Sequence, residues 1–420
     1  MDLSIFFIIA IFIAGYAAII FEHTIKINKT ASALIIAVIC WAIYFLGRRA
    51  PLAEDLSQFS IHVSDISQII FFLFGAMTLV ELIDSHKGFK IITDIIETTS
   101  KKKMLWVITF LTFFLSSVLD NLTTTILMIS LLRKLVPHKD ERMLIGCIVV
   151  IAANAGGAWT PIGDVTTTML WINGQLSTTA VMRALFIPSL VSVMVPLFYF
   201  SSRLKGTYPP IKSIKAEKRE PGSRLVFWVG IGGLIFVPIF KTWTGLPPFM
   251  GILISLGVLW LITDLIHRKY PEREKLRVPS ILSRIDTSSV LFFLGILLAV
   301  SSLEAAGVLR YIAVWLGETI GSLPLIATAI GLFSALIDNV PLVAATMGMY
   351  PLSTFPIDAP LWHMIAYAAG TGGSILIIGS ASGVALMGLE KIDFVSYMKK
   401  VSLPTLAGFL AGMGVYLLLN

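Results

Sequence analysis

An Asp-Asn pair lies inside an apolar run twice in this chain, once in each half. The first stretch reads Ser116-Ser117-Val118-Leu119-Asp120-Asn121-Leu122-Thr123-Thr124-Thr125, the second Ser334-Ala335-Leu336-Ile337-Asp338-Asn339-Val340-Pro341, and neither contains a positive charge. A carboxylate at bilayer depth costs several kcal/mol unless it binds something, so such acids point to function. A duplicated pair predicts an internal repeat built around a cation site.

That reading needs a membrane, and composition supplies one. Hydrophobic residues make up 56% of the 420 and charged residues 14%, and the mean hydropathy is +0.87. A soluble chain of this length needs far more polar surface, so the chain is read as a polytopic membrane protein in contact with lipid. The first apolar segment, Leu3 to Phe21, has no basic stretch before it and no small-residue cleavage site, and is read as a retained span. Cys40 and Cys147 lie far apart in apolar runs, which suits packing and offers neither a disulfide framework nor a thiolate metal site. The net charge of +7 comes mostly from loops at 22–30, 84–103, 133–142, 203–224, 267–286 and 391–400. This bias marks one face as cytoplasmic and calls for no nucleic-acid partner.

Apolar runs long enough to cross are expected at 3–21, 31–47, 67–83, 143–175, 180–202, 225–240, 248–266, 287–303, 363–390 and 402–419. Two further runs, 104–136 and 322–350, carry the Asp-Asn pairs. The first has Lys101, Lys102 and Lys103 before it and Arg133, Lys134, Lys139 and Arg142 after it, so both flanks read as cytoplasmic and the run must enter and return. From Met104 to Leu119 a helix reaches about 24 Å, enough to carry Asp120 into the bilayer without crossing. No Lys or Arg occurs from Tyr311 to Glu390, as expected for a second hairpin entering from the outer face.

The expected fold class is therefore an all-α membrane protein with an inverted-topology repeat: ten spans, two re-entrant helical hairpins and two broken spans. The first repeat covers 1–202, with hairpin 104–136 and broken span 143–175. A cytoplasmic linker follows at 203–224. The second, inverted repeat covers 225–420, with hairpin 322–350 and broken span 363–390, and both termini fall outside. Matching segments support the repeat. Phe71-Phe72-Leu73-Phe74-Gly75 resembles Phe292-Phe293-Leu294-Gly295, each followed by an amphipathic stretch, Lys87 to Thr99 and Val308 to Thr319. The Gly156-Gly157 and Gly372-Gly373 pairs each precede a further glycine, Gly163 or Gly379.

Glycine and proline at these depths predict unwound backbone, tolerated in a membrane only where it is buried in protein or lines a cavity. Unwound stretches and hairpin tips expose carbonyl oxygens and half-helix N-termini, with Asn121 and Asn339 as candidate N-caps. Two tips and two breaks thus converge on one midplane site. It would receive Asp120, Asn121, Thr123 and Thr124 from one tip and Ser334, Asp338 and Asn339 from the other. The broken spans add Asn154, Asp164, Thr166, Thr167, Ser374, Ser380 and Ser382. This set offers oxygen and amide groups, with no imidazole or thiolate, and suits Na⁺ or Li⁺ rather than a soft transition metal. Asp120, Asp164 and Asp338 are the expected ligands of the transported Na⁺, with no fixed positive partner in view. Carboxylates so placed are neutralised by a proton or by a cation, and that competition is the minimal basis of cation/proton exchange. The six histidines fall in or beside loops, and no resident cofactor is called for.

At these residues the sequence resembles the NhaD-type Na⁺/H⁺ antiporters of the ion transporter superfamily. The resemblance rests on Asp120-Asn121-Leu122-Thr123-Thr124-Thr125, on Asn154 through Thr168, and on Asp338-Asn339-Val340-Pro341-Leu342, and runs from about residue 10 to the end. It implies a bacterial inner-membrane exchanger of Na⁺ or Li⁺ for protons, dimeric, with a mobile domain carrying both hairpins in an elevator motion. It also implies that Asp120, Asn121, Asn154, Asp164, Thr166, Thr167, Ser334, Asp338 and Asn339 serve transport.

Two other classes compete. Oxyanion or dicarboxylate carriers of the same superfamily tend to place Ser-Asn-Thr where this chain has Asp-Asn, and an aspartate at each tip repels an anion; arsenite, neutral near pH 7, escapes that argument and stays an alternative. An intramembrane aspartyl protease also pairs two carboxylates. Such enzymes share a Gly-x-Gly-Asp motif, and Pro161-Ile162-Gly163-Asp164 lacks its first glycine. No Walker motif, Gly-rich phosphate loop or His-based metal motif appears, which argues against a primary pump, and the chain is read as a secondary transporter, not an enzyme.

Overall fold

A computed structural model describes residues 3–47, 51–93, 98–208 and 220–420. Over these residues the chain is helical, with no strand beyond a single bridge between Ser100 and Thr207. Nine helices among them are long and apolar enough to cross a membrane.

The first half contains α1 (Leu3–Ile20), α2 (Lys29–Leu46), α3 (Leu52–Ser85), α4 (Lys101–Ser116), α5 (Asn121–Leu135), α6 (Lys139–Ala158), α7 (Val165–Ile172) and α8 (Thr178–Ser201). The second contains α9 (Ser223–Thr244), α10 (Pro248–His267), α11 (Thr287–Ala305), α12 (Val308–Ile320), α13 (Leu323–Ser334), α14 (Asn339–Met349), α15 (Pro360–Gly372), α16 (Ala381–Glu390) and α17 (Phe394–Leu419). Every expected run is helical. The third begins fifteen residues early, because Leu52 to Ile66 forms four more turns of α3 behind Pro51, with Glu54 and Asp55 in the favourable first turn. His62 therefore lies within a helix and not in a loop. Half of the expected linker 203–224, residues 209–219, and part of the amphipathic stretch 87–99, residues 94–97, lie outside the described residues. Its counterpart is α12, which exposes Tyr311, Val314 and Trp315 and turns into α13 at 117°.

Contacts at the helix ends fix the path of each hairpin. Lys101, opening α4, pairs with Glu141 in the first turn of α6 at 2.5 Å, and only three residues separate the end of α5 from that same turn. α4 and α5 thus start and finish at one face. Their tip meets α6 fifteen residues further along, where Asn121 donates to Asn154, a depth of about 22 Å at 1.5 Å per residue. Buried Glu390, ending α16, accepts from Arg133 at 2.8 Å and from Arg142 at 2.9 Å. α16 therefore ends at the face where α6 begins, and the two broken spans run in opposite directions. Three charges that would be costly alone satisfy one another there.

The glycine pairs set how closely hairpin and broken span approach. A Cβ on Gly156 would lie 2.2 Å from the carbonyl oxygen of Phe113 in α4, and one on Gly372 would lie 2.2 Å from that of Gly331 in α13. Only a residue without a side chain fits either contact. Ser116 then donates to Ala153 O at 2.6 Å, and Ser334 to Ala369 O at 2.9 Å. Both hairpins are held on their spans by the same contacts.

Candidate functional site

Each tip ends where a half-helix begins, and the cap is the aspartate rather than the asparagine after it. Asp120 Oδ1 accepts from the Thr123 N–H at 2.8 Å, and Asp338 Oδ1 from the Val340 N–H at 3.2 Å. The expectation that Asn121 and Asn339 cap these helices is corrected by one residue, since a carboxylate is the better acceptor at the positive helix end. The breaks behave alike. α6 stops at Ala158 and α7 starts behind Asp164, whose side chain accepts from the Thr166 N–H at 3.3 Å. α15 stops at Gly372 and α16 starts behind Ser380, which accepts from the Gly383 N–H.

The two tips and the first break meet at a cavity of about 110 Å³ lined by Asp120, Asn121, Asp164, Asp338, Asn339 and Lys29, with Thr123 beside them. Asp164 is enclosed, and its Oδ2 has no hydrogen-bond partner among the described residues; the same holds for the buried hydroxyls of Thr124 and Thr166. Asn154 links this cavity to the second break. Its Oδ1 accepts from Asn121 at 3.0 Å and from Ser382 at 2.8 Å, while its Nδ2 donates to Ser380 at 2.9 Å. One buried amide thus joins three elements from both halves.

The remaining hydroxyls do other work. Thr123 Oγ1 donates to Asp120 Oδ2 at 2.5 Å, Thr167 to Ala158 O at 3.3 Å, and Ser374 to Thr371 O at 2.6 Å. Ser334, Ser374 and Thr167 bind backbone carbonyls and do not line the cavity. Ser116, absent from the expected set, makes the Ser334 contact in the first tip; its position four residues before Asp120, as Ser334 precedes Asp338, was a readable signal.

One expectation fails. The carboxylates are not without a fixed positive partner: Lys29 Nζ lies 3.7 Å from Asp338 Oδ2 and 4.3 Å above the Phe292 ring. In the sequence Lys29 belongs to the basic loop 22–30. In the fold it is the first residue of α2, whose N-terminus is tied to α11 by a bond from Thr30 Oγ1 to Ser288 O at 3.0 Å, and its side chain reaches across to the second tip.

Two larger cavities adjoin this one. One of about 450 Å³ shares Leu122 and Thr123 with it and runs past Asp84, Lys87 and Arg284. Another of about 320 Å³ shares Lys29 and Asp338 and runs past Tyr16 and Glu22. Both lie on the side of the basic loops. A third, of about 610 Å³, is lined by Glu304, Tyr350 and Gln175 and includes none of the three aspartates.

A family model described as "Citrate transporter" matches residues 16–370. The chain is 58% identical to "Sodium/proton antiporter 1" of Arabidopsis thaliana, over 96% of this chain and 70% of that protein. It is 53% identical to "Sodium/proton antiporter 2" of the same plant, over 96% and 97%. To the Na⁺/H⁺ antiporter NhaD of Alkalimonas amylolytica it is 30% identical, over 99% and 90%. With its helical hairpins, its broken spans and these similarities along nearly its whole length, this polytopic membrane chain belongs to the NhaD-type antiporter family within the broader citrate-transporter family.

Proposed function

We propose that this chain is a secondary Na⁺/H⁺ antiporter that also accepts Li⁺, with cation and proton competing for Asp120, Asp164 and Asp338. The observation that carries the reading is the charge of the cavity, three carboxylates against one ammonium. One carboxylate oxygen there is enclosed and has no hydrogen-bond partner among the described residues, and hydroxyl and amide oxygens line the same cavity. Such a site is short of positive charge and offers hard ligands to a small cation. Protonation neutralises the same oxygens, so a bound Na⁺ and a bound proton exclude each other. The names of the plant and bacterial relatives agree with this reading. The citrate description of the family model favours an anion carrier, but a tricarboxylate would face three like charges in this cavity.

Asn121, Asn154, Asn339 and Ser380, with Thr123, Thr124, Thr166 and Thr167, complete or support the site in this proposal. Ser334 and Ser374 shape its backbone. The halves 1–202 and 225–420 act as an inverted repeat, and the hairpins and broken spans move together as an elevator within a homodimer. The cavities running toward the basic loops fit a carrier open to the cytoplasm, with both termini on the opposite side. The bacterial relatives suggest an inner membrane as the address. The two plant relatives, more similar in sequence, make a plant membrane an equal candidate.

The test is quenching of a pH-sensitive dye in everted vesicles, scanned over Na⁺, Li⁺, K⁺ and pH. Addition of Na⁺ or Li⁺ should dissipate the proton gradient in wild type and not in Asp338→Asn. Undiminished exchange in that variant, or dissipation by citrate or arsenite in place of Na⁺, would overturn the proposal.

A further inference from the structure

The two tips neutralise their aspartates differently, and the reason is a single position. In the first tip Thr123 supplies Asp120 with both a backbone N–H and a hydroxyl, occupying both carboxylate oxygens from within its own helix. The equivalent residue of the second tip is Pro341, which has neither donor. Among the described residues Asp338 keeps only the Val340 N–H on Oδ1, and its Oδ2 faces Lys29. Lys29 comes from outside the tip, on a helix whose N-terminus is capped by Asn28 and fastened to α11. Its ammonium rests on the Phe292 face, a position that holds a cation without consuming it in a second ion pair.

We infer that Lys29 is a built-in competitor for Asp338: a tethered ammonium that neutralises this carboxylate when no Na⁺ occupies it, and withdraws when Na⁺ binds. The inference deepens the antiport reading and rests on it for the identity of the cargo. The neighbouring titratable groups are Tyr16 and Glu22 from the α1 side and Asp120 and Asp164 across the cavity. Glu22 already accepts from the Lys29 backbone N–H at 3.2 Å, and offers the displaced ammonium an anion within the same cavity. The ion pair is partly open to solvent, with side-chain exposures of 34% for Lys29 and 22% for Asp338. A weak tether suits a competitor, since a strong one would never release.

The experiment has two arms. In everted vesicles, Lys29→Gln should lower the KM for Na⁺ by about three- to five-fold at alkaline pH, the size expected for removing one partly exposed ion pair. Lys29→Arg, which keeps the charge, should stay near wild type. In purified wild-type protein, the amine of Lys29 should react faster with an acylating reagent in NaCl than in choline chloride, read by mass spectrometry. Asp338→Asn should be fast in both salts. The labelling arm needs neither exchange nor a folded Lys29 variant. Na⁺-sensitive labelling of Lys29 in the purified protein, with no exchange in vesicles, would keep the tether and overturn the antiport. Exchange with Lys29 labelling indifferent to Na⁺, or with an unshifted KM in Lys29→Gln, would overturn the tether and keep the antiport.

Discussion

The two hairpin tips share a scaffold and differ in how their charges are held. Each is set against a glycine of a broken span, anchored by a serine four residues before the aspartate, and ended by an aspartate capping the returning helix. Beyond that they part. Asp120 is satisfied by its own helix and Asn121 by Asn154. Asp338 borrows a lysine, and the residue of the second broken span that aligns with Asn154 is Gly370, packed against Ala158 and 3.3 Å from Asp164 Oδ2 as measured from an added Cβ. Matching scaffold with unmatched charge suggests that duplication supplied the geometry, and that divergence left one tip self-contained and the other open to exchange partners.

The sharpest way to break this comparison is to remove charge and keep the caps. Asparagine caps a helix about as well as aspartate, so Asp164→Asn and Asp338→Asn should fold normally. Each should reduce Na⁺-driven proton movement in vesicles by about 100-fold or more, because the amide that replaces the carboxylate carries no charge, takes up no proton and holds a cation weakly. Retained exchange in Asp338→Asn would mean that the second tip is not the open one.

Next in size is the link between the halves. Asn154→Ala removes one side chain, strands the buried amide of Asn121, and leaves Ser380 and Ser382 with only each other and the Gly383 N–H. Leaving such groups unpaired should cost about 2–4 kcal/mol. Thermal unfolding in detergent, followed by tryptophan fluorescence, measures it. A loss confined to one half, seen as one of two transitions, would contradict a shared network.

How much of this could be read from the sequence divides along the same line. Asp120 and Asp338 stood out because charge is rare in apolar runs, and Gly156 and Gly372 because glycine pairs recur at matched places; both signals are local and repeated. Lys29 carried no such signal. A lysine just before a span is ordinarily an anchor at the membrane surface, and only the path of α2 past Phe292 turns it toward Asp338. The extra turns of α3 were hidden because Leu52 to Ile66 is too polar to read as a span, although it forms good helix. The bond from Asn154 to Ser380 joins residues that only the packing of antiparallel spans brings together.

Where the tips match, their mutants should match. Gly156→Ala and Gly372→Ala each drive a methyl group into a carbonyl oxygen of the facing hairpin arm. Overpacking of this kind costs about 1–3 kcal/mol, and the two variants should lose similar amounts in the same unfolding assay. A large difference would show that the scaffolds have diverged as well as the charges.

The smallest expected effect is the most specific. Pro341→Thr would give the second tip the donors of the first, an N–H and a hydroxyl for Asp338. Proline at this helix position is tolerated because its missing N–H has no intrahelical partner, so its replacement should leave the fold intact. With two donors of its own, Asp338 would depend less on Lys29. The shift in the KM for Na⁺ caused by Lys29→Gln should then shrink to within about two-fold, a coupling of a few tenths of a kcal/mol in a double-mutant cycle. An undiminished shift in the Pro341→Thr background would mean that Lys29 approaches Asp338 for a reason other than the donor missing at Pro341, and the physical basis of the difference between the tips would have to be sought outside them.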